Sequence, residues 1–312
     1  MPGLPPDGAL QGSQIDGMML IVHVLMATVF VGWLWYFVST IIRGASGKAK
    51  AIKPHRAGRL ALTSEILIAL AEVTILGAFA LPFWISRVAA FPDEHHATVV
   101  HVVAEQYVWN IHYPGLDGIF GRTDPSLVSA ENPVGLDRSD PHAMDDVVSV
   151  NDMHLPVGIP VIIYLTSKDV IHSFSLPLYR IKQDAIPGQR IPIWFTPQRT
   201  SVELQKEMVA RYPIDPADSV RDLSLLSPLT DVMDKEGRVV LGAGTPLTLD
   251  SRIALAQAGI GSVDAAPSTP TEIACAQLCG LGHYRMRGLL TVEPDSSYRR
   301  WLEDRLEASS SP

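Results

Sequence analysis

Residues 18–42 read MMLIVHVLMATVFVGWLWYFVSTII, without a charged side chain when His23 is neutral. About 20 such residues cross a hydrocarbon core ~30 Å thick, so this stretch is long enough to span a membrane. Trp33, Trp35 and Tyr36 stand near its far end, where aromatic rings favour the lipid–water interface. A second apolar run, roughly 61–85, is interrupted by Glu65 and Glu72. Between the two lies RGASGKAKAIKPHRAGR (43–59), with six Lys or Arg and no acid. Positive loops stay in the cytoplasm, which puts both ends of the hairpin outside. The first helix is too long for a cleaved signal peptide, lacks a basic n-region and is followed by no A-x-A site. Glu65 and Glu72 are seven apart and share one helix face. A central carboxylate costs roughly 2.5–3.5 kcal/mol on insertion scales, so that face points at another membrane protein or a water-filled path.

The 312 residues divide unevenly beyond this hairpin. Residues 1–92 carry 7 basic and 4 acidic side chains; residues 93–312 carry 18 and 29, a net of −11. Such a surface steers basic partners and excludes a nucleic-acid binder of the basic kind. From about 97 onward short Val/Ile runs alternate with Pro, Gly and Asp: Thr98–Val103, Val147–Val150, Ile159–Thr166, Ile191–Phe195 and Leu289–Val292. This punctuation predicts a β-sandwich. Residues 200–270 break the rhythm with a hairpin-like DVMDKEGRVVLGAGTPLT, a helical LDSRIALAQAG ended by Gly259, and a linker-like AAPSTPTE. The expected fold is therefore an N-terminal two-helix transmembrane hairpin plus an all-β sandwich with an inserted small β-hairpin/helix module. The hairpin takes 1–92 (helices about 18–42 and 61–85), the sandwich 93–199 and 270–303, the module 200–269 and a tail 304–312.

Both cysteines of the chain lie in CAQLCGLGHYRMRG, residues 275–288. Cys275, Cys279, His283 and Met286 give two soft thiolates, an imidazole and a thioether, a set that suits copper. One thiolate would make a mononuclear site; two bridging sulfurs can hold two copper ions side by side. Each copper then needs an imidazole, and the local stretch supplies one. His172, in TSKDVIHSFSLP after an apolar strand, is the candidate for the second. Met286 sulfur and the Gln277 backbone carbonyl complete the two metals. A disulfide between the cysteines is the alternative in an exported domain, but it leaves His283 and Met286 unexplained. Zinc accepts Cys and His but not readily Met, and haem attachment needs C-x-x-C-H, which is absent. His95, His96, His101, His112, His142 and His154 read as surface or hydrogen-bonded groups.

At these residues the chain resembles subunit II of the haem–copper cytochrome c oxidases. The family's copper motif C-x-E-x-C-G-x-x-H-x-x-M is met by Cys275, Cys279, Gly280, His283 and Met286. The block S-x-D-V-x-H-S-F/W is met by Ser167, Asp169, Val170, His172, Ser173 and Phe174, and K-x-D-A-x-P-G by Lys182, Asp184, Ala185, Pro187 and Gly188. The resemblance covers roughly 15–198 and 270–303. It implies a cupredoxin-like sandwich holding the dinuclear copper centre CuA. That centre takes electrons from cytochrome c, or from a cytochrome c-containing complex, and passes them to haem in subunit I. There, beside CuB, dioxygen is reduced with coupled proton pumping. The implied partners are oxidase subunit I, the other oxidase subunits and the lipid bilayer. The implied location is a bacterial inner membrane, both termini on the periplasmic side.

Three departures bear on the site. Gln277 replaces a glutamate whose side chain normally binds a Mg2+ shared with subunit I; the copper ligand there is the backbone carbonyl, so the copper site carries over, while the replacement puts the Mg2+ in question. The family's Q-W-Y-W patch, where electrons arrive, reads Gln106, Tyr107, Val108 and Trp109 here, leaving Tyr107 and Trp109 as the aromatic contacts. Glu65 aligns with a glutamate at the mouth of a proton channel, but Ile68, Ala69 and Glu72 replace the W-T and Pro that follow it. Asp169 and Asp184 flank the copper loop as docking residues, or as braces of the loop and the subunit I interface. The copper-bearing subunit of a nitric oxide reductase and a copper-binding assembly protein share parts of this pattern; a copper-free quinol oxidase subunit does not keep the ligand set.

Overall fold

The computed structural model describes residues 3–47, 54–217, 222–269 and 271–310. Lys48, Lys50 and Lys53 of the basic loop lie outside the described residues. The chain forms two units, one of residues 1–3 and 13–91 and one of residues 4–12 and 92–312.

The first unit is helical. Helix α1 (Gly12–Ala45) is followed by α2 (Pro54–Ile75), a π-helical turn (Leu76–Ala80) and α3 (Leu81–Val88), with Pro82 in the first turn of α3. Two stretches, Gly12–Ala45 and Ala61–Val88, are long and apolar enough to cross a membrane. Their apolar side chains face outward, Trp35 76% and Phe30 67% exposed, as a lipid solvent demands. Both helices run longer than the apolar stretches alone predict. Backbone hydrogen bonding continues into flanking polar residues that a hydropathy reading excludes.

The second unit is a sandwich. Its strands begin with β1 (Thr98–Glu105), β2 (Val108–Tyr113), β3 (Val147–Val150), β4 (Asp152–Pro156), β5 (Val161–Ser167), β6 (His172–Leu176), β7 (Ile181–Ala185) and β8 (Ile191–Phe195). After the module come β14 (Glu272–Cys275) and β15 (Arg287–Glu293). One sheet has the order β3-β2-β1-β5-β8 and the other β4-β15-β14-β6-β7. The pairs β1/β5 and β4/β15 are parallel and the rest antiparallel. Alternation sets the core: Val100, Val102 and Ala104 of β1 are fully buried, while His101, Val103 and Glu105 face the other way. Trp109, Ile111, Tyr113, Phe174, Phe195 and Ile273 fill the space between the sheets.

Three boundaries differ from the sequence reading. Residues 4–12, assigned to the hairpin, are strapped to the sandwich by Gly8 N–H to Leu178 O (2.8 Å) and Leu10 N–H to Thr196 O (3.0 Å). Helix α4 (Ser201–Glu207), assigned to the module, is started by a Thr200/Glu203 capping box and buries Leu204 in the sandwich core. The amphipathic helix that Tyr298, Trp301, Leu302 and Leu306 predict is α6 (Asp295–Ser310), and the boundary placed at 304 falls inside it. The helix is held by buried Tyr298 and Leu302 and by Trp301 stacked on His154 at 4.2 Å.

The module has its own core of Ile214, Leu223, Leu241, Leu247, Leu255 and Val263. It contains β9 (Ala210–Pro213), β10 (Leu226–Ser227), the hairpin β11 (Val232–Met233) and β12 (Val239–Leu241), α5 (Leu249–Gln257) and β13 (Ser262–Pro267). The linker-like AAPSTPTE is a strand over its first three residues: Ala265 and Ala266 are fully buried where β13 pairs with β9 and β10. Small side chains there reflect tight packing, not a loop.

His101 carries a pH prediction. Burial, then Arg190 and His112, pull its pKa down to about 3. The unfolded value is near ~6.5. Above that value both states are neutral; below it the unfolded chain binds a proton that the folded chain refuses. Stability therefore falls as pH drops from ~6.5 towards 3, with a slope of at most ~1.4 kcal/mol per unit. Thermal unfolding of His101→Phe should show a shallower loss of Tm over that window than the parent chain.

Candidate metal centre

The ligand loop is the connection from β14 to β15, and the sheet order sets β6 on the other side of β14. Cys275 ends β14 opposite Phe174, which brings His172 at the start of β6 beside it. Ala276 N–H donates to Ser173 O at 2.9 Å and Cys275 N–H to Met286 O at 3.2 Å, closing the loop at both ends. A 3-10 turn, His283–Arg285, presents His283, and Met286 N–H donates back to His283 O.

The donors converge. Cys275 Sγ and Cys279 Sγ are 3.7 Å apart. His172 Nδ1 is 4.0 Å from Cys275 Sγ, and His283 Nδ1 is 3.6 Å from Cys279 Sγ. Met286 Sδ lies 3.8 Å from Cys279 Sγ, and the Gln277 carbonyl 3.2 Å from Cys275 Sγ. Both thiols are free, and their separation is far beyond the ~2.05 Å of a disulfide. Among the described residues, His172, Cys275 and Cys279 form the one group whose donor atoms all lie within 4.8 Å of each other. The six donors named from sequence thus lie at one end of the sandwich. Soft sulfur and imidazole donors around two thiols fit copper.

Electrostatics reinforce the arrangement. Burial, with the neighbouring Cys275 thiol, pushes the Cys279 thiol up to about 11. Asp169 Oδ1 accepts from His172 Nε2 at 2.8 Å, leaving Nδ1 turned towards the thiols. Burial raises the Asp169 carboxyl, but hydrogen bonds from His172 and from the N–H groups of Gln106 and Val170 outweigh it and hold it below the usual range. Partners of this kind fix the tautomer and ring orientation of a ligating imidazole. Asp169→Asn should weaken copper affinity ~10–100-fold, measured by competition with a chelator, with little change in Tm.

Tyr107 rests on the ligand loop. Gly280 has φ +134°, and a Cβ there would meet Tyr107 Oη at 2.6 Å; a Cβ on Gly282 would strike the same ring. Gln106 Nε2 donates to the Cys279 carbonyl at 2.5 Å. Sequence reading missed both contacts, although a Gly-x-Gly inside a ligand loop signals close approach by another group. Trp109, named with Tyr107 for electron entry, is fully buried, edge-on to His172 (6.2 Å) and Phe174 (5.4 Å). It faces inward because β2 alternates Trp109, Ile111 and Tyr113 towards the core; no partner protein can touch it. Asp184 lies on β7 opposite Ser173, one strand from the thiols. Glu65 is on α2 in the other unit, exposed like Glu72.

A two-sheet cupredoxin-type sandwich with paired thiols at one end, in a chain with two helices of membrane-spanning length, defines the class of protein. Residues 98–206 match the family model described as cytochrome c oxidase subunit II, periplasmic domain. Over these residues the chain is similar to that family. The match includes His172 and ends before the cysteine loop. The alternative cytochrome c oxidase subunit 2 of Bradyrhizobium diazoefficiens is 32% identical over 208 residues, covering 66% of this chain and 50% of the relative. The cytochrome c oxidase subunit 2 of Cereibacter sphaeroides is 26% identical over 218 residues, covering 64% of this chain and 68% of the relative. The chain thus spans half the length of the first of these. Among solved structures, the periplasmic domain of subunit II from Bradyrhizobium japonicum is 18% identical, with a TM-score of 0.35, over 70% of this chain and 97% of that one.

Proposed function

We propose that this chain is the electron-accepting subunit of a membrane-bound terminal oxidase, taking electrons from a c-type cytochrome and passing them to haem in a partner subunit I, where dioxygen is reduced and protons are pumped. The observation that carries this reading is the pair of free thiols 3.7 Å apart, each with an imidazole nitrogen within 4.0 Å. Copper held there would supply one-electron exchange. Cys275 and Cys279 would hold both metals, His172 and His283 one each, with Met286 and the Gln277 carbonyl as the outer donors. Asp169 orients His172, Trp109 closes the site from the core side, and Gln106 braces the Cys279 carbonyl. Trp109 is packed and Asp169 and Gln106 are hydrogen-bonded in place before an electron arrives, which favours small reorganisation.

The exposed rim offers the contact surface. Leu281 is 96%, Leu278 79% and Tyr284 72% exposed around the ligand loop. Tyr107, half-buried against Gly280 and Gly282, is the aromatic group between that rim and Cys279. The net −11 of residues 93–312 steers a basic donor towards it. Residues 4–12, bonded to the sandwich, support a hairpin with both ends on the periplasmic side of a bacterial inner membrane. Glu65 and Glu72 then face subunit I, with Glu65 at the cytoplasmic mouth of a proton path. The rate at which a basic c-type cytochrome reduces the copper-loaded full chain should fall as ionic strength rises past ~0.1 M, where the Debye length is ~10 Å. A flat salt profile would remove charge steering from this reading.

A further inference from the structure

We propose that the outer face of the first sheet holds a binding site for a small oxyanion, a carboxylate or a phosphate, gripped by Arg190. A pocket of about 300 Å3 opens there, lined by His101, His112, Thr123, Tyr164, Thr166 and Arg190 among others. None of these residues belongs to the metal centre, and the site is independent of the oxidase reading.

The pocket wall is built from two stacks. His101 lies flat on Phe120, centroids 3.7 Å apart and planes 3° from parallel. The Arg190 guanidinium lies over the Tyr164 ring at 3.8 Å. Arg190 Nη2 meets His101 Nε2 at 2.7 Å. A guanidinium only donates, so Nε2 accepts and the imidazole is neutral, with its proton on Nδ1. The stack and this bond pre-orient the guanidinium fork, the geometry that recognises carboxylate and phosphate bidentately.

Charge selects the ligand. No carboxylate lines the pocket, and among the described residues none lies within 4.0 Å of Arg190, in a region where acids outnumber bases 29 to 18. Two acids that border this wall each have one oxygen engaged. Glu94 accepts from the Tyr164 hydroxyl at 2.5 Å. Asp146, behind His112, binds His112 Nε2 at 2.6 Å and the Gly121 N–H at 2.8 Å. The Thr123 and Thr166 hydroxyls add neutral donors. The volume is at the lower end of small-ligand pockets, room for one compact molecule.

The test titrates the full-length chain in detergent with inorganic phosphate and, separately, with benzoate, by calorimetry and by the His101 ring resonances. One of the two should bind once per chain and shift those resonances. Binding of benzoate alone identifies a carboxylate site; binding of phosphate alone identifies a phosphate site. Arg190→Gln should weaken binding at least ~10-fold, equal to ~1.4 kcal/mol, and Arg190→Lys should fall between. Thr166→Val keeps the Arg190–Tyr164 stack and should weaken binding too, which guards against misfolding of the arginine variants. No binding of either anion up to ~10 mM, where affinity is below ~3 kcal/mol, or binding unchanged in Arg190→Gln and Thr166→Val, would overturn the proposal.

Discussion

Cys279→Ser is expected to reduce copper from two ions per chain to at most one. Cys279 stands at the centre of the donor set: its sulfur is 3.7 Å from Cys275, 3.6 Å from His283 and 3.8 Å from Met286. A serine hydroxyl is a hard donor that stays protonated at neutral pH, and copper prefers thiolate to it. Without that bridge, His283 and Met286 lose the sulfur that ties them to Cys275. The remaining Cys275 with His172 is a mononuclear fragment. The measurement is copper per chain after removal of loosely bound metal, together with the visible absorption of the copper–thiolate bond. Retention of two coppers by the serine variant would show that the thiol is not a bridging ligand.

Trp109→Ala is expected to destabilise the sandwich by about 3–5 kcal/mol, the usual cost of deleting a large buried aromatic. The side chain is fully buried and makes edge-to-face contacts with Phe174 and His172. Its backbone N–H is fixed by Asn151 Oδ1 at 2.8 Å. The loss leaves a cavity directly behind His172, so copper affinity should fall together with Tm. Trp109→Phe should recover most of the stability. Thermal unfolding of the full chain in detergent checks the first effect and chelator competition the second. A loss within ~0.5 kcal/mol, the level of ordinary surface substitutions, would contradict the burial.

How much of this was legible in the sequence follows from the kind of signal each part leaves. The helices are legible because an unbroken apolar run has few other uses; only their ends, carried by hydrogen bonding into Gly12 and Val88, are not. The metal loop is legible because Cys275, Cys279, His283 and Met286 lie within twelve consecutive residues. His172 needed a motif, since its approach to Cys275 is made by the pairing of β6 with β14, which no local spacing encodes. Strands β2, β4, β6, β7 and β14 carry polar or aromatic residues at positions where an apolar run would have announced them. His112 and Asp146 are 34 residues apart in sequence yet 2.6 Å apart and buried, so nothing local distinguishes His112 from a surface histidine. The inward face of Trp109 and the strand hidden in AAPSTPTE were lost for the same reason: each depends on what a neighbouring strand covers.

The most direct measurement is the copper content and EPR spectrum of the copper-loaded full chain in detergent. Two coppers per chain with one unpaired electron split equally by two copper nuclei is the result expected of the paired-thiol centre. A single copper with the spectrum of one isolated ion, or no copper and a Cys275–Cys279 disulfide, would contradict it.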